Sequence, residues 1–277
     1  MRVCTLGDLL LDVIVRPEQP LAAGDDTPAS SLVGAGGQAA NVAAWTAALG
    51  GSGRFVGKRA ADPVGELVAA ALASYGVDLK GPVVAGRTGV VLSLVDPAGA
   101  RTMASDRGVS PDLRPEEIES AWLDGWRSLH LSGYSLVREP IGSAGERAAE
   151  LAHGAGAEVS VDLSSSAVIR DFGERRFRRR LERLAPDVLF ANEEELDALG
   201  GELPAATWVL KRGARGCLFA RDGVYVELPA VEAAVVDSTG AGDALAAGFL
   251  LGGSLEEAGR RGLRAAARCV GKLGAMP

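Results

Sequence analysis

The stretch Asp237-Ser238-Thr239-Gly240-Ala241-Gly242-Asp243 places two glycines and a carboxylate at the predicted start of a helix. The apolar run Val231 to Val236 before it predicts a strand, and Ala244 to Leu251 is rich in helix-forming residues. Backbone N–H groups at such a strand-to-helix turn are unpaired and carry partial positive charge, which suits phosphate oxygens. Asp243 then stands where a general base for a hydroxyl nucleophile is needed. An ordinary helix start, whose acidic residue only favours the dipole, fits the same residues.

The composition describes a globular chain of 277 residues, of which 47% are hydrophobic. A chain of this length accommodates one large α/β domain or two small ones. No window approaches the run of about 18 apolar residues that crosses a membrane. Residues 1–6 lead into a strand-like run and lack the apolar core of a signal peptide. We therefore expect a soluble, cytoplasmic protein with no membrane partner.

Charge and cysteine content argue against further classes of protein. The net charge of −7 disfavours a nucleic-acid surface, on which clustered lysines and arginines dominate. The one basic run, Arg175 to Arg180, has acidic neighbours and is typical of a solvated helix face. Three widely spaced cysteines, Cys4, Cys217 and Cys269, supply neither a disulfide framework nor a zinc site.

Strand-like and helix-like segments alternate, which favours a doubly wound sheet with helices on both faces. Helix starts are indicated by Asp62 before Pro63, by Pro115-Glu116-Glu117 and by a capping box at Ser254 to Glu257. Asp222-Gly223 between two β-rich runs predicts a hairpin. Buried parallel strands are predicted at Val3 to Leu6, Leu129 to Leu131, Val159 to Val161, Val188 to Phe190 and Trp208 to Leu210.

A second strand-rich region departs from this alternation. Leu10 to Val15, Ser31 to Gly34, Val90 to Val95 and Thr102 to Asp106 are short β-type runs, and Pro97-Ala98-Gly99 is one of the turns between them. We predict that two insertions, roughly residues 10–36 and 88–107, form a small β-lid over the carboxyl edge of the main sheet. Ligands of open α/β sheets bind at that edge.

Two further polar motifs are ambiguous when taken alone. The glycines of Gly36-Gly37-Gln38-Ala39-Ala40-Asn41 serve a ligand, or they only let the chain enter the next helix. Asn192-Glu193-Glu194-Glu195 follows a buried strand and fits a ligand site or an ordinary acidic first turn. The order of these motifs along one chain, with Asp12, Lys211 to Gly216 and Asp237 to Asp243, is more specific than any single motif.

This ordered set resembles the ribokinase-like family, the PfkB carbohydrate kinases, along nearly the whole chain. Gly36-Gly37-x-x-x-Asn41 is similar to the family's N-terminal signature, and Asp237 to Asp243 is similar to its C-terminal signature almost residue for residue. The resemblance implies an α/β fold, with one three-layer α/β/α domain over residues 1–277. It also implies a small β-sheet lid that closes on a sugar or a nucleoside.

The resemblance assigns roles in phosphoryl transfer and acceptor binding. Asp243 matches the catalytic base. The anion hole matches Gly240, Ala241 and Gly242. The positions that match substrate-binding residues are Asp12, Gly36, Gly37 and Asn41.

It assigns further positions to ATP and to ions. The nucleotide side matches Lys211, Gly213, Gly216 and Thr239. Asn192 and Glu195 match an Asn-x-x-Glu that organises Mg²⁺ and phosphate, largely through water. Asp237 matches a position that helps hold a monovalent cation such as K⁺ in some members.

Departures from the family bear on the acceptor. Ribokinases carry a glutamate where this chain has Ser132-Gly133-Tyr134, and often a lysine where it has Gln38, so ribose loses support. Keto-deoxy-gluconate kinases show Asp-x-Asn-x-Arg where this chain has Asp162-Leu163-Ser164-Ser165-Ser166, so an acidic sugar loses support too. Arg107 either meets a polar substrate group or is an ordinary lid-edge arginine. Tyr134 either stacks on the substrate or is a buried strand-end tyrosine.

We therefore predict an ATP- and Mg²⁺-dependent kinase that phosphorylates a hydroxyl of a small carbohydrate. An adenosine- or pseudouridine-type nucleoside kinase is the enzymatic alternative, and a non-catalytic sugar-binding sensor is the alternative from another class. A dinucleotide-dependent dehydrogenase is disfavoured because Leu6-Gly7-Asp8-Leu9 contains no Gly-x-Gly-x-x-Gly. A homodimer through the lid is a further expectation from the resemblance.

Overall fold

A nine-stranded sheet forms the centre of the protein. The computed structural model describes residues 1–96 and 101–277, so the predicted turn Pro97-Ala98-Gly99 lies outside the described residues. In spatial order the strands of this sheet are β15 (Val224–Leu228), β14 (Cys217–Arg221), β13 (Thr207–Lys211), β12 (Val188–Asn192), β11 (Glu158–Asp162), β10 (Ser128–Ser132), β1 (Arg2–Leu6), β4 (Ser52–Val56) and β6 (Asp78–Lys80).

Strand pairing brings the carboxyl ends of the central strands to one edge of the sheet. The seven strands from β13 to β6 in this order pair in parallel, and β14 and β15 complete the sheet as antiparallel strands. The five predicted parallel strands are confirmed. The hairpin is confirmed as well, because Asp222 and Gly223 both have positive φ at the turn between β14 and β15.

Helices cover both faces of the sheet and confirm the three-layer α/β/α architecture. They are α1 (Gln38–Ala48), α2 (Pro63–Ser74), α3 (Gly133–Leu136), α4 (Ile141–Gly154), α5 (Ser166–Phe172), α6 (Glu174–Leu184), α7 (Glu193–Ala198), α8 (Ala241–Leu250) and α9 (Leu255–Val270). One buried cluster joins α4 and α6 to the sheet, and another joins α1, α8 and α9 to it. Among the described residues, none of these helices combines the length and apolar character needed to cross a membrane.

A smaller sheet is built from four strands in the order β3 (Ala29–Gly36), β2 (Leu10–Pro17), β8 (Thr88–Val95) and β9 (Arg101–Gly108). These strands coincide, to within a residue, with the two segments predicted as insertions. That the small sheet acts as a lid on a single domain of residues 1–277 stays a prediction. Two further strands, β5 (Arg59–Ala60) and β7 (Val83–Val84), pair separately.

Two of the predicted helix starts are confirmed by their capping bonds. Asp62 precedes α2, and its carboxylate accepts a hydrogen bond of 2.7 Å from the backbone N–H of Gly65. Ser254 precedes α9 in a capping box with Glu257. In both cases a side chain satisfies N–H groups that the helix itself leaves unpaired.

The strand predicted at Val231 to Val236 is wrong. These residues form no regular element, and 70% of Val235 is exposed. Strand β15 ends at Leu228, and Pro229 after it has no N–H with which to extend the ladder. Apolar side chains in this segment, Val231 and Val235 among them, line a cavity instead of the core.

The helix predicted from Pro115-Glu116-Glu117 is also wrong. Only a three-residue 3₁₀ turn forms there, and similar turns occur at Ser110–Asp112 and Ser120–Trp122. The buried side chains Leu113, Ile118 and Leu123 recur every five residues. That spacing does not keep apolar residues on one face of an α-helix, so packing on the core outweighs the local helix signal.

Candidate active site

A cavity of about 470 Å³ lies between the carboxyl edge of the large sheet and the small sheet. Asp162, Asn192 and Lys211 end β11, β12 and β13, and all three line it. Asp8 and Tyr134 follow β1 and β10 by two residues and line it as well. The parallel strands therefore deliver polar side chains from distant parts of the sequence to one place, as expected for an open α/β sheet.

Asp243 is the third residue of α8 and stands at the wall of this cavity. Its Oδ2 accepts a hydrogen bond of 2.7 Å from Nδ2 of Asn41, which lies on α1. Gln38, also on α1, lowers the pKa of Asp243. The two signatures, about 200 residues apart in sequence, thus meet at one carboxylate.

The surroundings of Asp243 hold its pKa far above that of an ordinary aspartate. Burial raises the pKa to about 7, and this effect outweighs the hydrogen bond from Asn41, which lowers the pKa. The charge of Asp162 raises the pKa further, while Lys211 and Gln38 lower it. A carboxyl group with a pKa near neutrality can accept a proton from a hydroxyl group at physiological pH.

The first turn of α8 has no side-chain cap. Gly240 occupies the capping position in the left-handed conformation, with φ of 76°, and offers no side-chain acceptor to the helix start. A β-carbon on Gly240 would lie 2.6 Å from that of Ala275, so the site requires glycine for space as well as for conformation. Gly240 and Gly242 line this cavity, and Ala241 lines a second, apolar cavity described below. Among the described residues no acceptor reaches the N–H groups of Gly240 and Gly242, whereas that of Ala241 donates to the Ser238 carbonyl at 3.4 Å; free donors at a helix start can bind an anion.

Asp12 reaches the cavity from β2 of the small sheet. Burial raises its pKa to about 6, with a smaller contribution from the charge of Asp237. Gly36 does not line the cavity, but a β-carbon there would overlap the Asp12 carboxylate, so glycine makes room for it. Gly37 has φ of 101° and lies against the carbonyl of Asp8, which explains glycine at the entry to α1.

Arg107 links the small sheet to the large one. From β9 its guanidinium pairs with the Asp8 carboxylate and lies 4.9 Å from the ring centroid of Tyr134. Burial raises the pKa of Asp8 and the charge of Arg107 lowers it. The structure therefore gives Arg107 and Tyr134 defined contacts at the cavity wall, beyond those of an ordinary surface pair.

Asn192 and Glu195 form the cap of α7. Asn192 Oδ1 accepts from the N–H of Glu195 at 2.8 Å, and Glu195 accepts from the N–H and the side-chain amide of Asn192. Asn192 lines the cavity, whereas Glu195 is buried behind it. Among the residues that the structure describes, no group of three or more His, Cys, Asp or Glu is arranged to hold a metal.

A second cavity, of about 450 Å³, shares a wall with the first. Lys211, Gly213, Ser238 and Gly242 line both. Gly216 lines only the second, where apolar side chains of α8, α9 and residues 230–235 predominate. An apolar cavity that meets a polar one at a helix start suits a nucleotide base beside its phosphates.

Asp237 and Thr239 lie just before α8. The Asp237 carboxylate accepts hydrogen bonds from the N–H and the hydroxyl of Thr239, at 2.9 and 2.5 Å, and from the N–H of Gly274 at 3.0 Å. Thr239 lines the polar cavity and not the apolar one. Asp237 lines neither, so the structure adds no support for K⁺ at this position.

Sequence reasoning missed several residues that line the polar cavity. Asp8, Gln38, Asp162 and Ser164 were assigned no role, yet Gln38 Oε1 accepts from the hydroxyls of Ser132 and Ser164, each at 2.5 Å. The strand-end rule was the available signal for Asp8 and Asp162, because both come at or just after the end of a buried strand. Gln38 carried no signal, since its partners lie about 94 and 126 residues away.

Comparisons with known proteins agree with this architecture. The family model described as pfkB family carbohydrate kinase matches residues 1–277. The chain is 35% identical over 262 residues to an ATP-dependent ribose-1-phosphate kinase of Halopiger xanaduensis, covering 90% of this chain and 84% of that protein.

Solved structures give the same result for the fold. An adenosine kinase of Sinorhizobium meliloti superposes with a TM-score of 0.90 at 27% identity, covering 100% of this chain and 95% of that one. A ribokinase of Thermotoga maritima has a TM-score of 0.79 at 24% identity, covering 100% and 96%. The latter supports the fold alone.

Proposed function

The chain belongs to the pfkB family of carbohydrate kinases, and from this membership we propose that Asp243 activates a sugar hydroxyl to attack the γ-phosphoryl group of ATP. As a member of this family the protein is a phosphotransferase that acts on an alcohol group. The observation that carries the proposal is the Asp243 carboxylate, buried beside the uncapped start of α8 at the junction of a polar and an apolar cavity.

Asp243 has the properties that proton removal requires. A hydroxyl group is a weak nucleophile, and a carboxylate with a pKa of about 7 is a far better proton acceptor than an ordinary aspartate. The hydrogen bond from Asn41 holds one carboxylate oxygen. The other oxygen then accepts the proton of the acceptor hydroxyl.

The first turn of α8 is the position for the transferred phosphoryl group. Charge on the equatorial oxygens of that group is stabilised by N–H donors at a fixed position. Gly240, Ala241 and Gly242 supply those donors, and the absence of β-carbons at both glycines lets the phosphoryl group approach the backbone closely. Gly213 and Gly216 border the apolar cavity that receives the adenine.

Magnesium fits this site as an ion bound mainly by ATP phosphates and water, a common mode for Mg²⁺. Asn192 faces the cavity, and Glu195 orients the Asn192 side chain through the capping box. Bound there, Mg²⁺ would neutralise phosphate charge. Glu195 already accepts two hydrogen bonds from Asn192, which favours an indirect role for this carboxylate.

Acceptor hydroxyls have two evident partners. Oδ1 of Asn41 is buried, and no donor reaches it among the described residues, so a hydroxyl group would satisfy it. Asp12 faces the same cavity from the small sheet and accepts from a second hydroxyl. Binding by both therefore brings the small sheet and α1 onto one polyhydroxylated molecule, the action expected of a lid.

A small sugar is the acceptor that these contacts favour, and the relatives named above include a kinase of ribose 1-phosphate. A nucleoside is the second candidate because the Tyr134 ring lines the cavity and can pack against a base. The similarity to an adenosine kinase supports the same alternative.

The test is phosphorylation of an acceptor panel, measured as ADP release from ATP with Mg²⁺. The panel contains fructose, ribose, ribose 1-phosphate, adenosine and pseudouridine, and Asp243→Asn is the matched control. We expect one sugar to support turnover by the wild type and far slower turnover by the variant. Sugar binding measured by calorimetry without any ADP release would contradict the proposal and support the sensor.

Three further expectations stay proposals: the K⁺ site and the homodimer rest on the resemblance, and the cytoplasmic location rests on the composition of residues 1–6. Turnover with and without K⁺ tests the role of Asp237. Light scattering across protein concentrations tests a homodimer formed through the small sheet. Cell fractionation tests the cytoplasmic location.

A further inference from the structure

Lys211, the last residue of β13, stands where the two cavities meet. Its Nζ lies 2.7 and 3.0 Å from the two carboxylate oxygens of Asp162. A β-carbon on Gly242 would lie 3.6 Å from the same Nζ, so the ammonium group is beside the first turn of α8. A positive charge therefore lies next to the position proposed for the transferred phosphoryl group.

Asp162 is fixed more firmly than Lys211. Asp162 is the last residue of the central strand β11, and its side chain is 1% exposed. Its Oδ1 also accepts a hydrogen bond of 2.9 Å from the N–H of Ser164. The Lys211 side chain is 17% exposed. Burial alone would lower the pKa of Lys211, but the carboxylates of Asp162 and Glu195 outweigh it and raise the pKa. The lysine is therefore charged at physiological pH.

The ammonium group keeps donor capacity for a ligand. Lys211 carries three N–H donors, and the hydrogen-bond acceptors of Nζ among the described residues are the two oxygens of Asp162. The nearest oxygen of Glu195 lies at 3.8 Å, too far for a hydrogen bond. One donor is therefore left at a position that borders both cavities.

We propose that Asp162 is a positioning residue that holds the Lys211 ammonium at the junction of the two cavities, where Lys211 neutralises charge on the transferred phosphoryl group. This inference rests on the proposed function. A fixed cation placed where negative charge develops lowers the barrier without reorganisation during the reaction. The flexible lysine stem needs such an anchor, because four rotatable bonds otherwise let the charge move away.

A purely structural ion pair is the competing explanation, and the paired variants separate the two. Lys211→Met removes the cation, Asp162→Asn removes the anchor, and the double variant removes both charges of the pair, so that neither is left without the other. Either single variant loses stability because it leaves its partner unpaired. Only the double variant tells whether activity follows stability or follows the cation.

We expect Lys211→Met to lower kcat by about 10²–10³-fold, the loss that follows removal of one oxyanion donor. Asp162→Asn should lower kcat by about 10- to 100-fold, since a displaced group costs this much. The double variant should regain thermal stability and remain as slow as Lys211→Met. Activity restored together with stability in the double variant would overturn the inference, as would a kcat of Asp162→Asn within about threefold of wild type.

The pH dependence of kcat/KM tests whether the charges of Asp162 and Lys211 act on Asp243, whereas the kcat of the double variant separates a positioning role from a structural one. The titratable groups that act electrostatically on Asp243, or it on them, are Asp162, Lys211, Tyr134 and Cys269. Loss of the Asp162 charge lowers the pKa of Asp243, and loss of the Lys211 charge raises it. The acid limb should therefore shift down in Asp162→Asn and up in Lys211→Met. Shifts in the same direction would contradict the inference.

Lys58→Met is the matched control. Lys58 is buried and its Nζ pairs with Glu117 at 2.8 Å, but it lines neither cavity. This variant should lose stability and keep the wild-type kcat. The wild type is assayed first on the acceptor panel, and a lack of turnover there would overturn the proposed function itself, separately from the role of Asp162.

Discussion

The starts of α7 and α8 have an acidic residue at the same helical position and use it in opposite ways. Glu195 is the third residue of α7, and its carboxylate folds back to accept from the N–H of the capping residue Asn192. Asp243 is the third residue of α8, and its carboxylate accepts instead from Asn41 on α1. Helix α7 caps itself, whereas α8 leaves the N–H groups of Gly240 and Gly242 for another acceptor.

The difference lies in the capping residue and not in the acid. Asn192 provides a side-chain acceptor for its helix, while Gly240 has no side chain and takes a left-handed conformation. A self-capped helix start offers fewer N–H groups to an anion, because those of Asn192 and Glu195 already have partners. Helix α9 supports this explanation, since Ser254 and Glu257 repeat the closed arrangement far from both cavities.

The largest expected effect comes from the acid that does not cap. Asp243→Asn should lower kcat by about 10²–10⁴-fold, because the amide cannot accept the hydroxyl proton. Glu257→Gln is the matched control, with the same change at the third residue of α9, and it should stay within about twofold of wild type. Steady-state kinetics with the preferred acceptor provide the measurement. Comparable losses in both variants would contradict the comparison.

The pH dependence sharpens the comparison next. Asp243 acts as a base only when ionised, and its pKa is about 7, so kcat/KM should fall as the pH drops through 7. Below that value we expect roughly a tenfold loss per pH unit. The pKa of Glu257 is shifted the other way: its hydrogen bonds with Ser254 hold it below the ordinary value for a glutamate. A profile that is flat between pH 5 and 8 (roughly one unit or more on either side of a neutral base) would contradict the assignment.

Adding a β-carbon at the open helix start should have a smaller effect on activity and a clear one on stability. In Gly240→Ala the left-handed conformation costs about 1–2 kcal/mol, and the contact with Ala275 adds about 1–3 kcal/mol. Chemical unfolding measures the loss, and kcat should fall because the N–H groups move.

Gly76→Ala separates these two causes. Gly76 has φ of 80°, close to the 76° of Gly240, and nothing lies within 4 Å of a β-carbon placed there. The control should lose only the conformational part and keep full activity. Equal unfolding free energies in the two variants would show that the contact with Ala275 has no weight.

The smallest expected effect comes from opening a closed helix start. Ser254→Ala removes the side-chain acceptor of α9, which should cost about 1 kcal/mol of unfolding free energy. Activity should stay unchanged because α9 begins away from the polar cavity. Thermal unfolding and steady-state kinetics on the same preparation give both values. A large loss of kcat here would mean that capping alone does not distinguish the helix starts.

Local patterns predicted the parts of the fold that depend on neighbours in sequence. The five buried strands, the Asp222-Gly223 hairpin and the caps at Asp62 and Ser254 each depend on residues a few positions apart. The same reasoning was wrong at Val231 to Val236, where apolar residues line a cavity. An apolar run predicts burial against something, and the sequence does not say whether that is the core or a ligand.

Candidate site residues divide in the same way. The signatures around Asn41 and Asp243 were found because their glycines and acids are close in sequence. Asp8 and Asp162 carried only the strand-end signal and Gln38 carried none, because the partners of all three are remote in sequence; Asp162 and Lys211, for example, are 49 residues apart. Only the order of the strands makes such residues neighbours.

The sequence by itself indicated helix starts with an acid in the first turn near Asn192, Gly240 and Ser254. It did not determine which acid would leave its own helix. Capping depends on a donor three residues away, so it can be predicted from the local sequence. The hydrogen bond between Asp243 and Asn41 spans 202 residues, and it exists because α1 and α8 pack side by side on one face of the sheet. The local sequence, through Gly240, therefore set which helix start is open, and tertiary packing decided which partner the Asp243 carboxylate meets there.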